Sequence, residues 1–125
     1  MDVYKTHGAF SWSELTTTDP KAAAAFYSGL FGWVFKDMGA AMGDYHVGSV
    51  GDTMVCGVMS APPGAPPMPP AWGCYVTVTD LAASVARCGQ LGGKVLVPPM
   101  DVPTVGRMAV IQDPQGATLS LMQYA

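Results

Sequence analysis

A chain of 125 residues, half of them hydrophobic, is sized for one domain with an ordinary core, which excludes a disordered chain. Nine acidic residues against six scattered basic ones give a net charge of -3, which excludes a phosphate-binding surface, so no nucleic-acid partner is expected. No apolar run approaches the roughly 20 residues that span a bilayer, the N-terminus lacks a signal-peptide pattern, and Cys56, Cys74 and Cys88 form an odd set with no close pair; the expectation is a soluble cytoplasmic protein without a membrane partner.

In chain order, residues 9 to 18 hold Phe10, Trp12 and Glu14 at period two, with Ser11, Ser13 and Leu15 on the other face, which predicts a strand. Asp19 then stands as N-cap with Pro20 at the first helical position, and Gly32 supplies a left-handed stop after Phe31. Trp33–Phe35, Asp44–Val50 and Met54–Met59 are the next expected strands. From Ser60 to Ala71 six prolines rule out a helix interior or central strand and predict a stiff, extended linker. Its other use would be as a ligand for a proline-recognition module.

Beyond the linker the pattern recurs. Gly73–Thr79 reads as a strand, Asp80 as a cap, and Leu81, Val85 and Cys88 as an apolar helical stripe ended by Gly92-Gly93. Lys94–Val97 and Arg107–Gln112 follow as strands, separated by a loop through Pro98–Pro103. Asp113-Pro114-Gln115-Gly116 is a turn signal leading into the last strand, Ala117–Gln123. The second half repeats the first at a constant offset of 61 residues, Asp19 over Asp80, Ala22 over Ala83, Leu30 over Leu91 and Gly32 over Gly93. Two copies of one βαβββ unit can each pack on the other, so a single domain over residues 1–125 is expected, with module 1 at about 8–60, the linker at 60–71 and module 2 at about 72–125.

The strand ending in Asp, the helix core Ala23-Ala24-Ala25-Phe26-Tyr27, the run Leu30-Phe31-Gly32-Trp33 and the late Asp113-Pro114-Gln115-Gly116 turn together resemble the glyoxalase, bleomycin-resistance and extradiol-dioxygenase superfamily, also called vicinal oxygen chelate, and within it the single-domain glyoxalase-like proteins. The resemblance covers nearly the whole chain and implies an α+β fold, two βαβββ modules forming a cup-shaped mixed sheet with helices on its outer face. It also implies a divalent metal in the cup. The family's ligands lie seven positions before each helix-capping Asp and seven after the Asp of the late turn, and here those positions hold Trp12, Gly73 and Ser120. Indole only donates and glycine has no side chain, so no metal and no other cofactor is expected.

Strand parity sets Phe10 and Glu14 beside Trp12, Tyr75 and Thr77 beside Gly73, and Thr118 and Met122 beside Ser120. The expected cavity is therefore aromatic, hydroxyl and thioether around one carboxylate, Glu14, the only glutamate of the chain. Glu14 is either a hydrogen-bonded carboxylate at a wet cavity mouth or a ligand-contacting or catalytic one. Trp12 either stacks on a planar or cationic ligand or fills the space that a metal site would leave. Trp72 is expected to anchor the linker. His46 stands beside Tyr45 with its facing open, as a structural residue or as a ligand contact, and Arg107 is either a surface residue or a clamp on an anionic group.

The expected function is binding of a small organic molecule in an apolar, aromatic cavity by Trp12, Glu14, His46, Tyr75, Arg107, Ser120 and Met122. The alternatives are a metal-independent isomerase, lyase or cyclase with Glu14 as general base, and a metal-dependent dioxygenase or lyase with relocated ligands such as Glu14 and His46. Exposed sheet edges with few protecting charges predict a homodimer.

Overall fold

The computed structural model describes residues 1–39, 44–61, 64 and 67–125. Pro62, Pro63, Ala65 and Pro66 fall outside the described residues, and with them that part of the expected stiff linker.

The first module runs β1 (Phe10–Thr17), α1 (Pro20–Phe31), β2 (Val34–Asp37), β3 (His46–Val50) and β4 (Thr53–Ser60). The local chemistry of its helix ends is as expected. The Asp19 carboxylate accepts from the Ala22 N–H at 3.1 Å, Pro20 opens the helix, and Gly32 closes it at φ 75°, donating its N–H to the Ser28 carbonyl; only glycine adopts that left-handed cap without strain. The strands pair in the order β2-β3-β4-β1, with β1 parallel to β4 and β3 antiparallel to both of its neighbours. β3 starts two residues later than expected because Asp44 takes a positive φ of 57°, which ends strand geometry there.

Register fixes what each face carries. Leu15, Val58 and His46 lie in one cross-strand row, and Glu14, Gly57 and Val47 lie in the next row on the opposite face. The first of these faces holds the module's core, since Val58 is wholly buried and Cys56 and Leu15 nearly so. Burying a side chain such as Val58 contributes roughly 1.5–3 kcal/mol.

The second module runs β5 (Ala71–Thr77), α2 (Leu81–Gln90), β6 (Lys94–Val102), β7 (Gly106–Gln112) and β8 (Thr118–Tyr124). Its strand order is β5-β8-β7-β6, with β5 parallel to β8 and antiparallel pairing beyond. Both modules are thus the same βαβββ unit, as the sequence repeat implies, and the fold is α+β. Asp80 caps α2 by accepting from the Ala83 N–H at 3.1 Å, the same device and distance as Asp19 in α1. Leu81, Val78, Ala109 and Leu121 form the core on the helix side, with Val85 and Ile111 packed against them.

β6 departs from expectation by continuing to Val102 instead of ending before Pro98. It is the outermost strand of its module, and its pairing with β7 is irregular between Val95 and Val97 and between Val97 and Met100. Prolines are tolerated at such bulged edge positions because no ladder N–H is needed there.

Residues 1–11 pack with the second module, and Trp12–Gly73 form the other compact unit. The N-terminal segment is tied down by reciprocal backbone bonds of 2.8 Å between Gly8, Ala9 and Thr77, by the Thr77 hydroxyl donating to the Val3 carbonyl at 2.6 Å, and by Tyr4 meeting Tyr124 edge-on. No described helix is long and apolar enough to cross a membrane.

Candidate functional site

Alternation along β1 puts Trp12 and Glu14 on the face away from Leu15, and two further residues reach that face, Gly57 from β4 and Tyr45 from the position just before β3. Tyr45 is the junction. The Trp12 Nε1–H donates to the Tyr45 hydroxyl at 3.0 Å, and that hydroxyl donates to Glu14 Oε2 at 2.7 Å. A phenol-to-carboxylate bond of this length is of the charge-assisted kind, roughly twice as strong as a neutral one. Glu14 and Trp12 are both half-buried, so the carboxylate is neither sealed in the core nor fully bathed in water.

The remaining sequence-derived residues divide by face. In the second module Tyr75 pairs with Ser120, and Thr77 with Met122, so all four share the face opposite the core residues Val76, Leu121 and Ala109. Tyr75 and Met122 are buried, and the Tyr75 hydroxyl points at the Met108 sulfur at 3.9 Å.

His46 and Arg107 do not join these groups. His46 is 6% exposed, on the same face as Leu15 and Val58, and its Nε2 lies 3.0 Å from Asp44 Oδ1. Its neighbour Tyr45 takes the other face, which is the physical cost of adjacency in a strand. Arg107 lies on the Ala109 side of β7, away from Ser120 and Met122, and its Nε donates to Asp101 at 3.0 Å across an exposed strand pair. It already has a carboxylate partner at the surface.

The thiols are free, Cys56 buried, Cys88 half-buried and Cys74 exposed. Burial pushes the Cys56 thiol up from its ordinary value, with the Gly48 backbone hydrogen bond pulling the other way; a thiol held protonated in this way is a poor nucleophile. Trp72 anchors the end of the linker as expected, donating its indole N–H to the Tyr27 hydroxyl at 3.0 Å and packing edge-on against that ring.

A shallow groove of about 560 Å³ runs beside α2, lined among others by His7, Val78, Asp80, Cys88 and Leu91. It lies on the helix side of the second module and includes none of the expected ligand-binding residues, Trp12, Glu14, His46, Tyr75, Arg107, Ser120 and Met122. Its open form and apolar floor give it few groups that could orient a ligand.

The positions at which the family's metal ligands would stand do not fit an ion. Trp12 has spent its only polar hydrogen on Tyr45, Gly73 offers no side chain, and Ser120 offers a neutral hydroxyl beside Tyr75. Among the described residues no three of His, Cys, Asp and Glu come together. Glu14 and His46, the relocated pair, lie on opposite faces of one sheet and cannot ligate a common ion.

Sequence reasoning passed over Tyr45 and Gly57. Their signal is faint but present: Tyr45 and His46 are neighbours where the chain enters an expected strand, so their side chains take opposite sides, and Gly57 in the middle of a β-strand marks a place where something approaches closely.

The model of the Glyoxalase/Bleomycin resistance protein/Dioxygenase superfamily matches residues 9–121, and the chain belongs to that superfamily. "Putative glyoxylase CFP32" of Mycobacterium tuberculosis (strain CDC 1551 / Oshkosh) is 40% identical over 119 residues, covering 93% of this chain and 46% of its own length. "Anthracycline biosynthesis protein DnrV" of Streptomyces peucetius is 37% identical over 129 residues, covering 91% of this chain and again 46% of its own length. The chain therefore spans about half the length of the curated relatives it matches. Among solved structures, methylmalonyl-CoA epimerase from Mycobacterium tuberculosis superposes with a TM-score of 0.69 at 16% identity, over 94% of this chain and 88% of that one. A superfamily member from Vibrio splendidus 12B01 does so with a TM-score of 0.63 at 12% identity, over 92% and 99%. These two likenesses concern the fold.

Proposed function

We propose that the protein binds a small organic molecule bearing hydrogen-bond donors or a positive charge, and that it does so without a metal, at the face of the first module carrying Trp12, Tyr45 and Glu14. The observation that carries this reading is the Trp12–Tyr45–Glu14 chain, which holds the only glutamate of the sequence half-buried beside an indole. A carboxylate so placed pairs with a cationic or donating group, and an indole face attracts the same charge. Binding alone suffices for sequestration, the use the superfamily's name suggests. The three free thiols fit a reducing cytoplasm.

A second reading makes Glu14 the general base of a metal-independent isomerase, lyase or cyclase. It is favoured by the same short phenol–carboxylate contact, which is also a geometry for passing a proton.

The test combines turnover assays with calorimetry on a Glu14→Gln variant. The fold should survive, and affinity for a cationic ligand should fall about tenfold, the value of one hydrogen bond to a charged group; unchanged affinity would remove Glu14 from the site. Elemental analysis after gentle purification should find no stoichiometric divalent metal, and one tightly held ion per chain would overturn the metal-free reading. A homodimer is part of the same proposal, since β2 and β6 are each the outermost strand of their module and leave one side of the backbone ladder without a strand partner. Light scattering at micromolar concentration should give twice the chain mass of 13.0 kDa, whereas the single-chain mass at every concentration would rule the dimer out.

A further inference from the structure

Gly57 is the residue of β4 that pairs with Glu14, and the Tyr45 ring lies across it. A β-carbon built at Gly57 would overlap the Tyr45 hydroxyl and the ring carbon that bears it. The backbone does not require glycine there, because Gly57 is absent from the positive-φ positions. It is the ring that excludes a side chain. A side chain at 57 forces the end of the phenol to shift, which disturbs its hydrogen bonds with Trp12 and Glu14.

Those two bonds set the polarity of the site. Trp12 has one polar hydrogen and gives it to Tyr45 at 3.0 Å; Tyr45 has one and gives it to Glu14 at 2.7 Å. A carboxylate only accepts, an indole N–H only donates, and a phenol donates once while accepting through its lone pairs. With these hydrogens given inside the triad, neither the Trp12 indole nor the Tyr45 phenol has a polar hydrogen left to donate to a ligand, while Glu14 contributes a carboxylate and Trp12 a π face. A ligand carboxylate or phosphate finds no hydrogen-bond donor among them, and meets the Glu14 charge. A ligand ammonium finds both an acceptor and an aromatic face.

We infer that Tyr45, seated on Gly57, is the positioning and specificity-determining residue of the Glu14 site, selecting small ammonium-bearing molecules against carboxylate- or phosphate-bearing ones of the same shape. The inference rests on the reading of Glu14 as the ligand-orienting group. Tyr45 acts through its neighbours: it fixes the carboxylate and keeps the Trp12 donor turned inward. Without it, the indole N–H becomes available to anions and Glu14 loses its orientation.

The test needs two readouts on the full chain. In the first, the indole N–H of Trp12, identified by its loss in Trp12→Phe, is followed by nuclear magnetic resonance. It should show the downfield position and slow solvent exchange of a hydrogen-bonded N–H in the wild type, and should move upfield and exchange faster in Tyr45→Phe and in Gly57→Ala, where the phenol is retained but displaced. In the second, benzylammonium and benzoate, near-equal in shape and opposite in charge, are titrated against each variant. The wild-type chain should favour benzylammonium by at least about tenfold, and that ratio should fall toward one in Tyr45→Phe and Gly57→Ala. A Trp12 N–H that resonates and exchanges alike in the wild type and in both variants, or a ratio unchanged in both variants, would overturn the role given to Tyr45. The outcomes separate the two levels. If Glu14→Gln weakens benzylammonium binding while the Tyr45 and Gly57 variants do not, the site stands and the Tyr45 role falls; if Glu14→Gln changes nothing, the site itself falls. Tyr45→Phe removes a single oxygen, so it remains decisive should Gly57→Ala fail to fold.

Discussion

Cys56, Cys74 and Cys88 are chemically alike in sequence, and the fold makes them unlike. Cys56 is 2% exposed on the core face of β4, and burial raises its thiol above the ordinary value, so almost no thiolate is present near neutral pH. Cys74 is exposed and Cys88 half-buried. Alkylation at pH 7.5 should therefore modify Cys74 first, Cys88 more slowly, and Cys56 only after denaturant is added. Rapid labelling of all three in the native protein would contradict the burial of the β4 core face. At this scale the sequence was informative where a residue acts on the backbone within a few positions of itself, as Asp19, Pro20 and Gly32 do. It was silent where a side chain reaches over a neighbour: the Tyr45 contact depends on a ring crossing to another strand onto a glycine 12 positions along the chain, which no periodicity encodes.

Among the elements, the β7–β8 connection offers the clearest pH dependence. The Asp113 side chain accepts from Gln115 N–H at 2.9 Å and Ala117 N–H at 3.0 Å, and the Asp113 backbone N–H donates to the Ala117 carbonyl at 2.8 Å. The hydrogen bond from Ala117, then that from Gln115, holds the carboxyl below the ordinary carboxylate range. Because the folded value is depressed, the ionised turn adds its full stability above the unfolded value of about 3.9 and loses it as pH falls through the folded value. Denaturation midpoints of wild type and Asp113→Asn should thus converge below about pH 4 and separate above it. A constant gap from pH 2 to pH 7 would show that the carboxylate's charge does nothing for the turn. This turn was legible from Asp-Pro-Gln-Gly, as were both helices from their caps. The length of β6 was not, since Pro98 and Pro99 argue against a strand until its outer position in the module is known.

For the molecule as a whole, the 61-residue repeat announced two βαβββ modules, and the structure contains them. What the repeat does not announce is where the copies differ. The first module carries the Trp12–Tyr45–Glu14 chain, and the second has Gly73, Cys74 and Tyr75 where the offset sets them against Trp12, Ser13 and Glu14. The residues ahead of the first strand, for which the sequence predicts no element, pack with the second module together with the strand's first two residues, Phe10 and Ser11, because their partners Thr77 and Tyr124 are brought near only by the fold. The central claim is that the small-molecule site centres on Glu14 in the first module. Its most direct test is a map of backbone amide shifts in the intact chain during titration with benzylammonium. The predicted result is that the earliest and largest changes fall at Trp12, Glu14, Tyr45 and Gly57. Changes concentrated instead along the α2 groove, at Val78, Asp80, Cys88 and Leu91, with the Glu14 face unmoved, would contradict it.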